Sequence, residues 1–137
     1  MFSSNYLAKP YIKDRSTPKT LSYQDDKKAR VTCKLSRGEP LLRFSWFYQK
    51  DSDSSAKGGC QKVDNWRPLP SSITLETPFN KTSSSSTIVI PPNIPPVGQP
   101  ACYKCLAVNE FGNDSLITAL HRYSKKSHHL MGINLCE

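Results

Sequence analysis

The chain has little glycine, little histidine and no long apolar run, and each scarcity removes a class of function. No stretch of about 18 apolar residues occurs, so no segment reads as a membrane-spanning helix. The opening Met1-Phe2-Ser3-Ser4-Asn5 lacks a basic region followed by an apolar one, so no cleavable leader is read there. The six glycines form no phosphate-cradling loop and no G-x-S-x-G elbow. Of three histidines, His128 and His129 lie in a tail, so a nucleophile–base pair is hard to assemble, and no H-E-x-x-H motif exists. No catalytic residue, cofactor or small-molecule substrate is expected.

The length of 137 residues suits a single domain. A hydrophobic fraction of 36% is too low for a membrane protein and too high for a wholly disordered one. Eleven prolines argue for extended segments and turns over long helices. Nineteen Lys and Arg against eleven Asp and Glu leave a net charge of +8. These residues are spread along the chain, with clusters only at Lys27-Lys28-Ala29-Arg30 and His121-Arg122-Tyr123-Ser124-Lys125-Lys126. No RNP-like aromatic run, zinc-finger spacing or helix-turn-helix pattern accompanies them, so nucleic acid is not an expected partner. The clusters read as solvated surface, with a sulfated polysaccharide as the sharper alternative.

Hydrophobic periodicity gives seven or eight short strands and no convincing helix. Lys9 to Ile12 opens a first strand, which Leu21 to Tyr23 continues. Ala29 to Leu35 alternates, with Val31, Cys33 and Leu35 on one face and Arg30, Thr32 and Lys34 on the other. Leu42 to Tyr48 places Phe44, Trp46 and Tyr48 together. Short strands follow at Trp66–Leu69, Ile73–Glu76 and Thr87–Ile90. The five prolines between Pro91 and Pro100 form a stiff corner. Cys102 to Asn109 and Ser115 to Tyr123 are the last strands, joined by a turn over Glu110–Asp114. Such a pattern describes an antiparallel sandwich or barrel.

Within it, Cys33 faces inward in mid-strand, Trp46 follows thirteen residues later, and Tyr103-Lys104-Cys105 carries a second inward thiol. A cystine joining two sheets needs both thiols on inner faces, and an indole packed on it fills the core between them. Tyr103, two residues before Cys105, stands where a tyrosine corner ties its strand to the preceding loop.

Val31-Thr32-Cys33, Trp46 and Tyr103-x-Cys105-x-Ala107-x-Asn109-x-x-Gly112 together resemble the immunoglobulin superfamily, its I-set in particular, over about residues 10–123. The resemblance implies an all-β, immunoglobulin-like antiparallel β-sandwich. More narrowly, the sequence resembles domains of the Down syndrome cell adhesion molecule family. The residues that carry this are Gly38-Glu39-Pro40-Leu41-Leu42-Arg43-Phe44-Ser45-Trp46, Pro70-Ser71-Ser72-Ile73-Thr74 and Ser86-Thr87-Ile88-Val89-Ile90-Pro91. Sidekick-like and contactin-like receptors share parts of them. Departures cluster at one corner: Gln99 stands where an Asp is usual and Ala101 where a Gly is usual. They put the Asp/Arg pair that often pins this corner in question.

Three cysteines remain. Cys102 is out of phase with Cys105 and points away from the core; it can pair with Cys60, or both can be free thiols. Cys136 is odd. Asn80-Lys81-Thr82 and Asn113-Asp114-Ser115 are glycan acceptor sequons in loops. His121, His128, His129 and Cys136 lack the spacing of a metal site, and no metal is expected.

The resulting division is a loose segment over 1–9, an immunoglobulin-like domain over 10–123 and a basic tail over 124–137. Paired thiols imply an oxidising compartment. The resemblance implies an extracellular adhesion module of a plasma membrane receptor, with homophilic cell–cell recognition in axon guidance and dendrite self-avoidance. The alternatives are an intracellular structural module of a muscle protein and a ligand-binding or heparan sulfate-binding ectodomain.

Overall fold

The computed structural model describes residues 9–13, 19–37, 43–50, 60, 66–76 and 85–124. Nine strands lie within them: β1 (Tyr11–Ile12), β2 (Lys19–Gln24), β3 (Ala29–Arg37), β4 (Arg43–Lys50), β5 (Arg67–Pro68), β6 (Thr74–Leu75), β7 (Ser85–Ile90), β8 (Ala101–Asn109) and β9 (Gly112–Tyr123). They form two sheets, ordered β1-β3-β7-β6 and β2-β9-β8-β4-β5. Every pairing is antiparallel except that of β2 with β9.

Period-two patterning decides which faces meet. Along β3, Ala29, Val31 and Cys33 are buried and Arg30, Thr32 and Lys34 are exposed. Opposite them on β7 stand Ile90, Ile88 and Ser86, all buried. In β8 the odd positions Ala101 to Asn109 face inward, and in β9 the even positions Leu116 to Arg122 do. Isoleucines 12, 88 and 90 with Val31 and Leu120 fill the space between the sheets. Burying each such side chain is worth about 1.5–3 kcal/mol.

Two polar contacts fix the end nearest the β8–β9 hairpin. The Asn109 Oδ1 accepts the Phe111 N–H at 2.8 Å, which closes the turn from within. The Asp114 Oδ2 accepts the Ile12 N–H at 2.7 Å and ties β1 of one sheet to β9 of the other. Gly112 has φ +153°, and a Cβ there would meet the Lys9 Cβ at 3.0 Å. Glycine is thus required both for conformation and for close approach.

Three expectations need correction. Leu21 to Tyr23 does not continue the first strand: it belongs to β2, in the opposite sheet, because β9 supplies a parallel edge for it. With that split, the strands of the described residues number nine, not seven or eight. The final turn is also shorter than read, since Gly112 to Asp114 already pair with Ala107 to Asn109.

Candidate interaction face

Cys33 and Cys105 are joined across the sheets, with Cα atoms 6.3 Å apart and 72 residues between them. Trp46 stands directly opposite Cys105 in the β4–β8 register and is buried. Its indole Nε1 donates to the Ser86 Oγ at 2.9 Å, so a buried hydrogen bond runs from β4 to β7 beside the cystine. Ser86, legible in the sequence only within a motif of the family resemblance, is therefore part of the inter-sheet connection. Under the chain-entropy model a loop of this length stabilises by about 4 kcal/mol.

The second cystine joins Cys60 to Cys102, Cα atoms 5.7 Å apart. Cys102 is fully buried yet lies outside the core cluster, because its phase turns it to the outer surface of the five-stranded sheet. Cys60 covers it there. Near this bond the Lys104 ammonium lies over the Trp66 ring, 5.4 Å from its centroid. Cystine and cation–π pair together fasten Cys60 and Trp66, from the chain between β4 and β5, to the outside of β8.

Register lays out the rest of that face. One row carries Phe47, Lys104 and Ile117, the next Ser45, Leu106 and Ser115, and the next Arg43, Val108 and Asn113. Phe47, Leu106, Val108 and Ile117 are half-buried, while Arg43 and Asn113 are exposed. An apolar centre with a polar and cationic margin is the composition a protein-binding surface needs. The opposite sheet presents a different surface. Thr32 and Thr87 share a 2.7 Å hydrogen bond, Arg30 pairs with Glu76 at 3.3 Å, and Lys34 is exposed.

The far pole holds a residue that the sequence reading placed at the surface. Arg122, taken as part of a solvated basic cluster, is only 4% exposed. Its Nε and Nη2 donate to the Ile94 carbonyl at 3.1 and 3.0 Å, Nη2 to Pro91 at 2.9 Å, and Nη1 to Gln24 at 2.9 Å and Lys27 at 2.6 Å. The guanidinium also lies over the Tyr23 ring, 5.9 Å from its centroid. It joins the β2–β3 turn to the proline-rich corner, and Gln99 is exposed at that corner. Burial lowers the Arg122 pKa, and the nearby Tyr103 and Asp25 oppose that shift. The inward phase of Leu116, Thr118 and Leu120 was the available signal for its burial.

Tyr103 is 1% exposed, and burial pushes its phenol up to about 12 against the pull of Arg122. Among the described residues no hydrogen bond ties its hydroxyl to the 91–100 corner, so Arg122 makes the tie expected of a tyrosine corner. Asn113 is exposed at the start of β9, and His121 is exposed near its end. Asn80, His128, His129 and Cys136 lie outside the described residues. Among the described residues no group of His, Cys, Asp or Glu side chains could hold a metal ion, and no helix is long and apolar enough to cross a membrane.

Two sheets, a β1–β2 segment shared between them and a cystine beside an indole define an immunoglobulin-like sandwich. Solved structures agree on the fold. Titin domains z1z2 in complex with telethonin superpose with a TM-score of 0.56 at 14% identity, covering 86% of this chain and 49% of that one. The titin M10–obscurin-like 1 immunoglobulin complex gives 0.51 at 14%, covering 85% and 95%. A Dscam1 Ig7 domain gives 0.49 at 18%, covering 84% and 97%, too loose a fit to separate it from other sandwiches of this kind. No family model and no curated protein matches the chain.

Proposed function

We propose that the chain is an extracellular recognition module of a cell-surface receptor, which binds a protein partner through the outer face of its five-stranded sheet. The observation that carries this reading is the Cys60–Cys102 bond. A second cystine outside the core serves a domain that works where thiols stay oxidised. It also braces the sheet face whose apolar centre is Phe47, Leu106, Val108 and Ile117. Asn80 is the proposed glycan acceptor for that compartment, since a glycan on Asn113 would stand beside Val108 on this same face. The partner is a second copy of the receptor, as the Down syndrome cell adhesion molecule resemblance implies, with roles in axon guidance and dendrite self-avoidance. Binding of this kind needs no chemistry at the face, and no catalytic role is assigned.

Beads densely coated with the domain test the self-recognition, because many weak contacts then act together. Clustering that Leu106→Asp abolishes supports it; coated beads that stay dispersed contradict it.

An intracellular structural module is the second reading, favoured by the likeness to titin domains that occur in complexes with telethonin and obscurin-like 1. A heparan sulfate binder is a third, resting on the +8 charge and on exposed Arg30 and Lys34. Salt-steep retention on heparin would favour it.

A further inference from the structure

A cleft of about 530 Å³ opens at the pole of the sandwich where the proline-rich corner lies. Its walls are mostly apolar, with Pro70, Ile73, Ile94, Pro95, Pro96 and Pro100 among the residues that line it. Tyr48 and Tyr103 also line it. They stand opposite each other in the β4–β8 register, so the two side chains are cross-strand neighbours on the inner surface of the sheet. The phenols are close enough that charge on Tyr48 is felt at Tyr103.

Among the described residues neither hydroxyl makes a hydrogen bond. No side-chain polar atom hidden from water lacks a partner among them. The Tyr103 hydroxyl is therefore reached from the cleft, although the residue as a whole is 1% exposed. A phenol hydroxyl that opens on an apolar cavity offers a hydrogen-bond donor to what enters it, and such groups give pockets their orientation and specificity. Arg122 adds positive potential at Tyr103 while its own N–H groups are engaged by backbone carbonyls. The inner end thus favours an electron-rich atom, and the walls favour hydrocarbon.

We propose that this cleft binds a small apolar ligand bearing a carboxylate or carbonyl oxygen, which accepts hydrogen bonds from the Tyr48 and Tyr103 hydroxyls. The prolines and isoleucines hold the hydrocarbon body, and the two phenols fix which end enters. The site is independent of the sheet face assigned to protein recognition, so either can fail without the other.

Titration of the ¹⁵N-labelled chain with octanoate tests this, with octyltrimethylammonium as the probe that keeps the tail and lacks the acceptor. Octanoate should give saturable shifts at the Ile73, Ile94, Gly98 and Ala101 amides, and the ammonium probe far weaker ones. Tyr48→Phe keeps the ring and the net charge, and should weaken octanoate by about tenfold, as expected for a lost hydrogen bond to a charged group. Ser72→Trp, at an exposed position on the lip, should block the cleft without disturbing the core. No saturable shift at those amides would overturn the proposal. So would equal binding of both probes, or octanoate affinity unchanged in Tyr48→Phe.

Discussion

Replacing Arg122 with methionine should destabilise the domain far more than a change within a basic terminal cluster ordinarily would. The guanidinium makes five hydrogen bonds to four backbone carbonyls, those of Ile94, Pro91, Gln24 and Lys27. Only the Gln24 carbonyl has a second donor, the Lys27 N–H at 3.2 Å, among the contacts described. Methionine fills similar volume but donates nothing, so at least three carbonyls lose their partner. A hydrogen bond to a charged group contributes about 1.5–3 kcal/mol, and each buried acceptor left without a donor costs about 1–3 kcal/mol; these parts overlap and are not additive, which puts the total near 3–5 kcal/mol. Arg122→Met should therefore remove about 3–5 kcal/mol, a large share of a domain stability near 5–15 kcal/mol. Arg122→Lys should recover little, since one ammonium cannot span carbonyls on two separate turns. Urea unfolding followed by the fluorescence of Trp46 and Trp66 reads the difference. A loss below about 1 kcal/mol, the scale of a surface change, would refute the pinning role.

Three further outcomes follow from the same geometry. Trp46→Phe should cost about 2–4 kcal/mol, and pairing it with Ser86→Ala should restore part of that loss, because the hydroxyl is then no longer left unpaired; chemical denaturation of the three variants forms the cycle. Gly112→Ala should destabilise by about 1 kcal/mol or more through its φ of +153° and the 3.0 Å approach to Lys9, measured as a lowered midpoint. For Tyr103 the folded pKa of about 12 lies above the ordinary phenol value of 10.0, so its contribution to stability is complete below pH 10 and is lost as pH rises toward 12. Thermal melts across that range should show the decline, and Tyr103→Phe should flatten it.

The fold was legible where neighbouring residues alternate. Val31, Cys33, Trp46, Cys105 and the isoleucines of β7 announce an inner face by phase alone, and the structure buries them. What local pattern could not show was pairing across the chain. Nothing between Lys19 and Gln24 states that this segment leaves its sheet and lies parallel to β9. Arg122 was misread because its immediate neighbours are polar and basic, and composition over a few residues outweighed the longer phase of Leu116, Thr118 and Leu120. Ser86 comes to the indole only through the register of β7 with Cys33, which no local pattern around it states. The choice between a Cys60–Cys102 bond and two free thiols rested on topology, which a one-dimensional pattern does not contain. The cleft was invisible for the same reason: Tyr48 and Tyr103 are 55 residues apart in sequence and adjacent only through β4–β8 pairing.

The extracellular assignment depends on the oxidation state of four cysteines. Protein taken from its native cells, alkylated at once to trap free thiols and digested without reductant, should yield Cys33–Cys105 and Cys60–Cys102 as linked peptides by mass spectrometry. Recovery of Cys60 and Cys102 as alkylated thiols would contradict the extracellular account and return the domain to the intracellular reading.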